Sequence, residues 1–162
     1  MELSRPTLSN VETLVDCWVA LAADQRQYGS RLLTEANREA VTDAIARHVV
    51  TEGLLVAEAD HADETLGFVM YHVKEGRYQQ DRSTGVIVNL FVRSAARDRG
   101  IGSQLLAAAE ADLAEAGVDT VTLEVLAAND AARRFYSRHG YRDHRIELAK
   151  RIENDTHSKG DR

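Results

Sequence analysis

Between Val92 and Ser103 the chain sets arginines and glycines at the start of a helical pattern: Arg97-Asp98-Arg99-Gly100-Ile101-Gly102-Ser103. Glycines at such a turn let the backbone approach a ligand closely. A helix start presents N–H groups without intrahelical partners, with the positive end of the helix dipole behind them. Together these features suit a phosphate or pyrophosphate, and Arg97 and Arg99 add local positive charge. Two familiar phosphate loops do not fit. A P-loop needs Gly-Lys-Ser/Thr after its glycines, which is absent here. A dinucleotide fingerprint needs a third glycine where this chain has Leu105. A glycine turn before an ordinary helix is the plain alternative for this loop taken alone.

The surrounding elements must hold that loop. Leu3 falls in a short first strand ending at Pro6. Ser9 and Glu12 have capping-box spacing, ahead of Val11, Leu14, Val15, Trp18 and Leu21 at helical intervals. A second helix is expected after Thr34, carrying Val41, Ile45, His48 and Val49 and ending at Gly53. Leu54–Glu58, Leu66–Lys74 and Gly85–Val92 read as three strands, with a hydrophilic loop over 75–83. The glycine–arginine loop follows, then a long helix with Leu105, Leu106, Ala109 and Leu113 on its core side, ended by Gly117. Thr120–Leu126 reads as a strand. Asn129 or Asp130 caps a short helix that Gly140 stops, and Tyr141–Ile152 is expected to supply one last strand or two short ones. The order β-α-α-β-β-β-α-β-α-β predicts a mixed α/β domain over residues 1–153, with a polar, structureless tail over 154–162.

Composition bounds the function. The 162 residues are 44% hydrophobic and 28% charged, the balance of one globular domain. A single cysteine excludes an internal disulfide and a Cys-rich zinc site. No apolar run approaches the roughly 20 residues that span a bilayer, and the N-terminus lacks a signal peptide's pattern, so a cytoplasmic location is expected. Acidic residues outnumber basic ones 26 to 20, for a net charge of −6. That opposes non-specific nucleic-acid binding, which usually needs a basic surface. Arg133, Arg134 and Arg138 make only a short basic helix face.

Arg97-x-x-Gly100-x-Gly102 resembles the coenzyme A pyrophosphate loop of the GCN5-related N-acetyltransferase superfamily. Asn89-Leu90-Phe91-Val92 resembles that superfamily's fourth strand. Leu123-Glu124-Val125 with Asn129, Ala132, Phe135-Tyr136 and Gly140-Tyr141 resembles its fifth strand and fourth helix. The resemblance spans roughly residues 1–150. It implies a mixed sheet of six or seven strands flanked by four helices, with the fourth and fifth strands splayed apart. Acetyl-CoA is the implied acyl donor, with no metal. Pantetheine would pair with the backbone of Leu90, Phe91 and Val92, as an added strand does. Amides of Arg97, Asp98, Arg99, Gly100, Ile101, Gly102 and Ser103 would hold the pyrophosphate, and Asn129 and Ala132 would touch the cofactor.

For the reaction, the resemblance implies direct attack of a neutral amine on the thioester within a ternary complex. A backbone N–H near Phe91 or Val92 would stabilise the oxyanion. Tyr136 matches the tyrosine beside the sulfur and is the implied general acid. The base is open. Many members carry a carboxylate on the fourth strand, where this chain has Asn89. Glu124, His72 and a water chain are the alternatives. Asn129 also suits an ordinary N-cap. Cys17, beside Trp18 on an apolar face, reads as packing rather than as a nucleophile. Asp24, Tyr28 and Tyr78 fall in the segments that shape the acceptor pocket in this superfamily. The acceptor is a small-molecule or peptide amine. A non-catalytic sensor of coenzyme A or acyl-CoA on the same fold is the alternative function. A compressed last hairpin would leave a sheet edge open for a homodimer.

Overall fold

The computed structural model describes residues 1–61 and 63–153. The sequence-predicted tail over 154–162 lies outside these. Among the described residues, five strands and four α-helices form one layer of sheet with helices on both faces: β1 (Glu2–Ser4), α1 (Val11–Gln25), α2 (Arg38–Val50), β2 (Leu54–Glu58), β3 (Thr65–Val73), β4 (Thr84–Val92), α3 (Ile101–Glu115), β5 (Thr120–Leu123) and α4 (Asp130–Arg138). The strands lie in chain order, antiparallel from β1 to β4, with β5 parallel to β4.

The strands alternate in the way burial on two faces requires. Phe68, Met70 and Phe91 join Leu14, Trp18, Val41 and Ile45 under α1 and α2. Val69, Tyr71 and Ile87 join Leu105, Leu106, Ala109 and Leu113 under α3. The sheet is thus clamped along β2, β3 and β4. Cys17 is wholly buried in the first core, and burial pushes its thiol pKa up.

The helix ends follow their local signals in some places and depart from them in others. Gly117 and Gly140 follow α3 and α4 in the left-handed conformation, as their helix-stopping role requires. The capping box lies two residues before the expected one. The Thr7 amide donates to Asn10 Oδ1 (2.8 Å) and opens a 3₁₀ turn over Leu8–Asn10 that feeds α1. Another 3₁₀ turn, Glu35–Asn37, separates Thr34 from α2. At the end of α2 the left-handed residue is Glu52, not Gly53. Gly53 serves for space instead, because a Cβ there would fall 2.4 Å from the Tyr71 carbonyl oxygen.

The expected count of six or seven strands is corrected to five among the described residues. Tyr141–Ile152 forms no strand. Its apolar residues alternate as a strand's would, but a strand exists only through a partner's ladder, and the described chain provides none.

Candidate cofactor and catalytic site

The site is built where β4 and β5 part. The two strands pair at Thr84, Gly85, Val86 and Ile87 with Thr120, Val121, Thr122 and Leu123, and no further. β4 runs five residues beyond that point. Its pairing to β3 shifts there: Met70 faces Asn89 and Tyr71 faces Ile87, so Val88 is an extra residue, a β-bulge. The bulge turns β4 from β5 as pairing ends.

Backbone direction past the bulge follows from one bond. The Arg93 amide donates to Leu66 O on β3 (2.8 Å). Amides alternate along a strand, so Phe91 and Asn89 also point toward β3. Leu90 and Val92 therefore point away from it, into the gap. The expectation of an oxyanion donor at Phe91 or Val92 narrows accordingly. Phe91 is buried under α1, 6.0 Å from the Phe68 ring, with its backbone committed to the sheet. In the gap, Arg97 Nε donates to the Val92 carbonyl (3.2 Å).

Beyond β4 the chain makes a 3₁₀ turn, Ser94–Ala96, then the glycine–arginine loop. Asp98 (φ 62°) and Gly100 (φ 76°) are both left-handed. Such residues alternating with ordinary ones curl successive amides toward one concavity, a shape that receives anions. The Gln104 amide donates to Gly100 O (3.1 Å), which fixes Gly100 as the N-cap of α3. The amides of Ile101, Gly102 and Ser103 precede the first intrahelical bond and carry the helix's positive end. Arg97, Asp98, Arg99 and Gly100 are exposed, whereas the Ile101 side chain is buried, leaving its backbone as its contribution. Arg99 Nη2 donates to Ala95 O (3.2 Å), holding that side chain along the loop.

α4 closes the other side of the gap. Asn129 Oδ1 accepts from the Ala132 amide (3.1 Å), so the N-cap reading holds. Phe135 packs on the start of α3, where a Cβ on Gly102 would lie 3.5 Å from its ring. Gly102 thus has a packing role in addition to any role toward a ligand. Tyr136 is half-buried, edge-on to Phe135 (5.2 Å) and Tyr141 (5.8 Å). Burial raises its pKa to about 12.

Sequence reasoning missed His139. Its Nδ1–H donates to Phe135 O (2.8 Å), its Nε2 accepts from Ser103 Oγ (3.0 Å), and its ring lies 4.4 Å from Phe135. It braces the start of α3 against the end of α4. The i,i+4 spacing from Phe135 was the available signal, but the Ser103 partner lies 36 residues back.

The candidate bases lie on the sheet face opposite α3. His72 alternates with Tyr71, which packs under α3, and it meets His48 of α2: Nδ1 and Nε2 are 3.2 Å apart. His48 Nδ1 donates to Ala44 O (2.7 Å), so His48 Nε2 accepts and His72 Nδ1–H donates. Burial, then His48, lowers the His72 pKa. Glu124 is exposed one residue past β5. Asn89 Oδ1 is buried with no hydrogen-bond partner among the described residues. Asp24 accepts from Gln27 (2.9 Å), and Tyr78 is 80% exposed. No hydrogen bond or ring contact links Asp24, Tyr28 and Tyr78 among the described residues.

A mixed sheet with one parted parallel pair, a glycine–arginine loop opening a helix at the gap, and a short helix beyond it define the GNAT fold. Residues 38–141 match the family model described as "Acetyltransferase (GNAT) family", and the chain belongs to this family. The chain is 28% identical over 121 residues to an aminoalkylphosphonate N-acetyltransferase of Salmonella typhimurium, covering 75% of this chain and 78% of that protein. Among solved structures, a GCN5-related N-acetyltransferase from Ralstonia eutropha JMP134 is 26% identical, with a TM-score of 0.72, covering 93% of this chain and 97% of that one. A mutant of the BH1408 protein from Bacillus halodurans superposes with a TM-score of 0.78 at 20% identity, covering 94% of this chain and 100% of that one. The latter likeness concerns the fold alone.

Proposed function

We propose that this chain is an N-acetyltransferase that moves an acetyl group from acetyl-CoA to a primary amine by direct attack within a ternary complex. One observation carries the reading: β4 pairs with β5 only as far as Ile87 and Leu123, and the loop that follows β4 holds Asp98 and Gly100 in the left-handed conformation at the start of α3. Family membership and the N-acetyltransferase relative support it. The gap has the right chemistry for a pantetheine chain, since the Leu90 and Val92 backbone can pair with an extended amide. The loop has the right chemistry for a pyrophosphate.

Acetyl-CoA supplies the acetyl group as an activated thioester. Loop amides from Arg97 to Ser103 would hold its phosphates, with Arg97 and Arg99 adding charge. Asn129 and Ala132 would border the pantetheine. The Val92 amide, which points into the gap, would stabilise negative charge developing on the thioester oxygen. Tyr136 keeps its proton at neutral pH, its pKa being about 12. Full transfer to a thiolate runs uphill, because an ordinary thiol sits near ~8.5. Tyr136 therefore stabilises the leaving sulfur mainly by donating a hydrogen bond.

The amine approaches from the face opposite α3, where Asn89, His72 and Glu124 lie. Asn89 cannot take a proton, so Glu124, His72 or a water chain takes the ammonium proton. The pH profiles of Glu124→Gln and His72→Gln separate the three. Loss of the acidic limb in one variant names that residue, and an unchanged limb in both leaves the water chain.

The test is thiol release from acetyl-CoA across an amine panel that includes aminoalkylphosphonates, with calorimetry of coenzyme A binding. Turnover on any amine supports the reading. A second reading, a non-catalytic acyl-CoA sensor, draws on Asn89 standing where many members carry a carboxylate. Tight binding without turnover on any amine favours the sensor, and absence of binding rejects both.

A further inference from the structure

The Ser103–His139 hydrogen bond commits a proton that an anion at the start of α3 would need. Ser103 is the third residue of α3, and its amide belongs to the helix's unpaired donors. Its hydroxyl has one hydrogen and donates to one partner at a time. Here that partner is His139 Nε2, 3.0 Å away. The far side of the ring fixes the direction of this bond. His139 Nδ1 lies 2.8 Å from the Phe135 carbonyl oxygen, which only accepts, so Nδ1 carries the hydrogen. In the neutral imidazole Nε2 is then the acceptor. The hydroxyl therefore turns lone pairs, not its hydrogen, toward any other group.

A phosphate oxygen on the amides of Ile101, Gly102 and Ser103 would meet those lone pairs, a conflict between two acceptors. One proton resolves it. In the imidazolium both ring nitrogens donate. Nε2–H then bonds to Ser103 Oγ, and the hydroxyl hydrogen is released. The neighbours provide no other proton-carrying contact. The first turn of α3 has no acidic residue. Among the described residues no ion pair involves His139. The charged side chains of the adjoining segments are Arg97, Asp98 and Arg99 before α3, and Arg138 and Arg142 around the end of α4, all exposed. Tyr136 and Tyr141 lie edge-on to each other (5.8 Å), and burial raises the pKa of both, so they keep their protons at neutral pH.

We propose that His139 is a positioning residue for the cofactor: it takes up a proton when the pyrophosphate of coenzyme A is bound, and so frees the Ser103 hydroxyl to donate to a phosphate oxygen. The inference rests on the proposed function of the loop. Linkage is reciprocal, so conditions that favour the protonated ring favour the cofactor by the same factor. Coenzyme A affinity therefore rises as pH falls, by at most about tenfold per pH unit for one proton.

The experiment is calorimetry of coenzyme A binding at pH 7.5 in buffers of different ionisation enthalpy, repeated from pH 7 to 8.5. The wild type is expected to take up more protons per coenzyme A than Ser103→Ala or His139→Gln. Its affinity should also fall more steeply with rising pH than theirs. The cofactor's own phosphates are common to all three proteins, so the differences report His139. Imidazole nitrogen shifts in the labelled wild type should change from the neutral to the charged pattern at His139 on saturation. Equal proton uptake in the wild type and both variants overturns the inference, as does a His139 ring that stays neutral when coenzyme A is bound. Neither result touches the proposed function, whereas absence of coenzyme A binding rejects both. If the variants do not fold, the ring shifts of the wild type decide.

Discussion

Tyr136 shows how an environment sets one residue's protonation state. Packing against Phe135 and Tyr141 removes water from the phenol, and the pKa rises to about 12. The residue is a hydrogen-bond donor across all working pH. Tyr136→Phe keeps the ring and removes the donor. Turnover is expected to fall by about 10²-fold or more, with coenzyme A affinity nearly unchanged in calorimetry. An equal loss of affinity would instead make Tyr136 a binding residue. The His48–His72 pair gives a second prediction. His72 is more basic unfolded than folded, since burial and His48 lower its folded pKa. The unfolded state therefore binds more protons as pH falls through the region near ~6.5. The pair's contribution is complete above that pH and is lost below it. Thermal unfolding should show stability declining as pH drops from 7 to 5, with a smaller decline in His72→Gln. Such contacts were not legible in the sequence, because the partners lie 24 residues apart on different elements. Tyr136 stands out in the sequence only through the resemblance, whereas its placement on α4 beside Phe135 follows from the helical pattern.

At the scale of elements, helices and most strands were legible because their apolar spacing matches one buried face each. The Val88 bulge was not. A bulge is a mismatch between two strands, and Gly85–Val92 alone reads as one uninterrupted apolar run. The final strand failed for a related reason. Ile146, Leu148 and Ile152 alternate correctly, but alternation gives the preference and not the partner. Gly67 illustrates how tightly β3 and β4 are joined near the site. A Cβ there would fall 2.3 Å from the Phe91 carbonyl oxygen, a backbone atom that cannot swing aside. Gly67→Ala is expected to cost about 1–3 kcal/mol in chemical denaturation, and to weaken coenzyme A binding by displacing β4 at the gap. Lost stability with wild-type affinity would show that β4's position does not control the site. α4 is positioned differently, by Phe135 on Gly102 and by His139 on Ser103, so the two walls of the gap are braced independently.

At the scale of the molecule, a net charge of −6 surrounds a loop that carries Arg97 and Arg99. The whole-chain average argues against polyanions in general, whereas the local backbone and two guanidinium groups favour one small anion. Their attraction is exposed and should be screened, since the Debye length falls from ~10 Å at 0.1 M salt to ~3 Å at 1 M. Coenzyme A affinity is expected to weaken as salt rises over that range, and Arg97→Ala with Arg99→Ala should flatten the dependence. A wild-type affinity indifferent to salt would place recognition in the neutral amides alone. The parted strands also mark the chain with a built-in isotopic reporter. Past the bulge, neighbouring amides of one strand face opposite fates: Phe91 is locked to β3, and Leu90 and Val92 are open to the gap. In deuterium exchange of the free protein, Leu90 and Val92 should exchange rapidly beside a slow Phe91. When a ligand occupies the gap as an added strand, that alternation should vanish, and its disappearance would count bound molecules without any measurement of turnover.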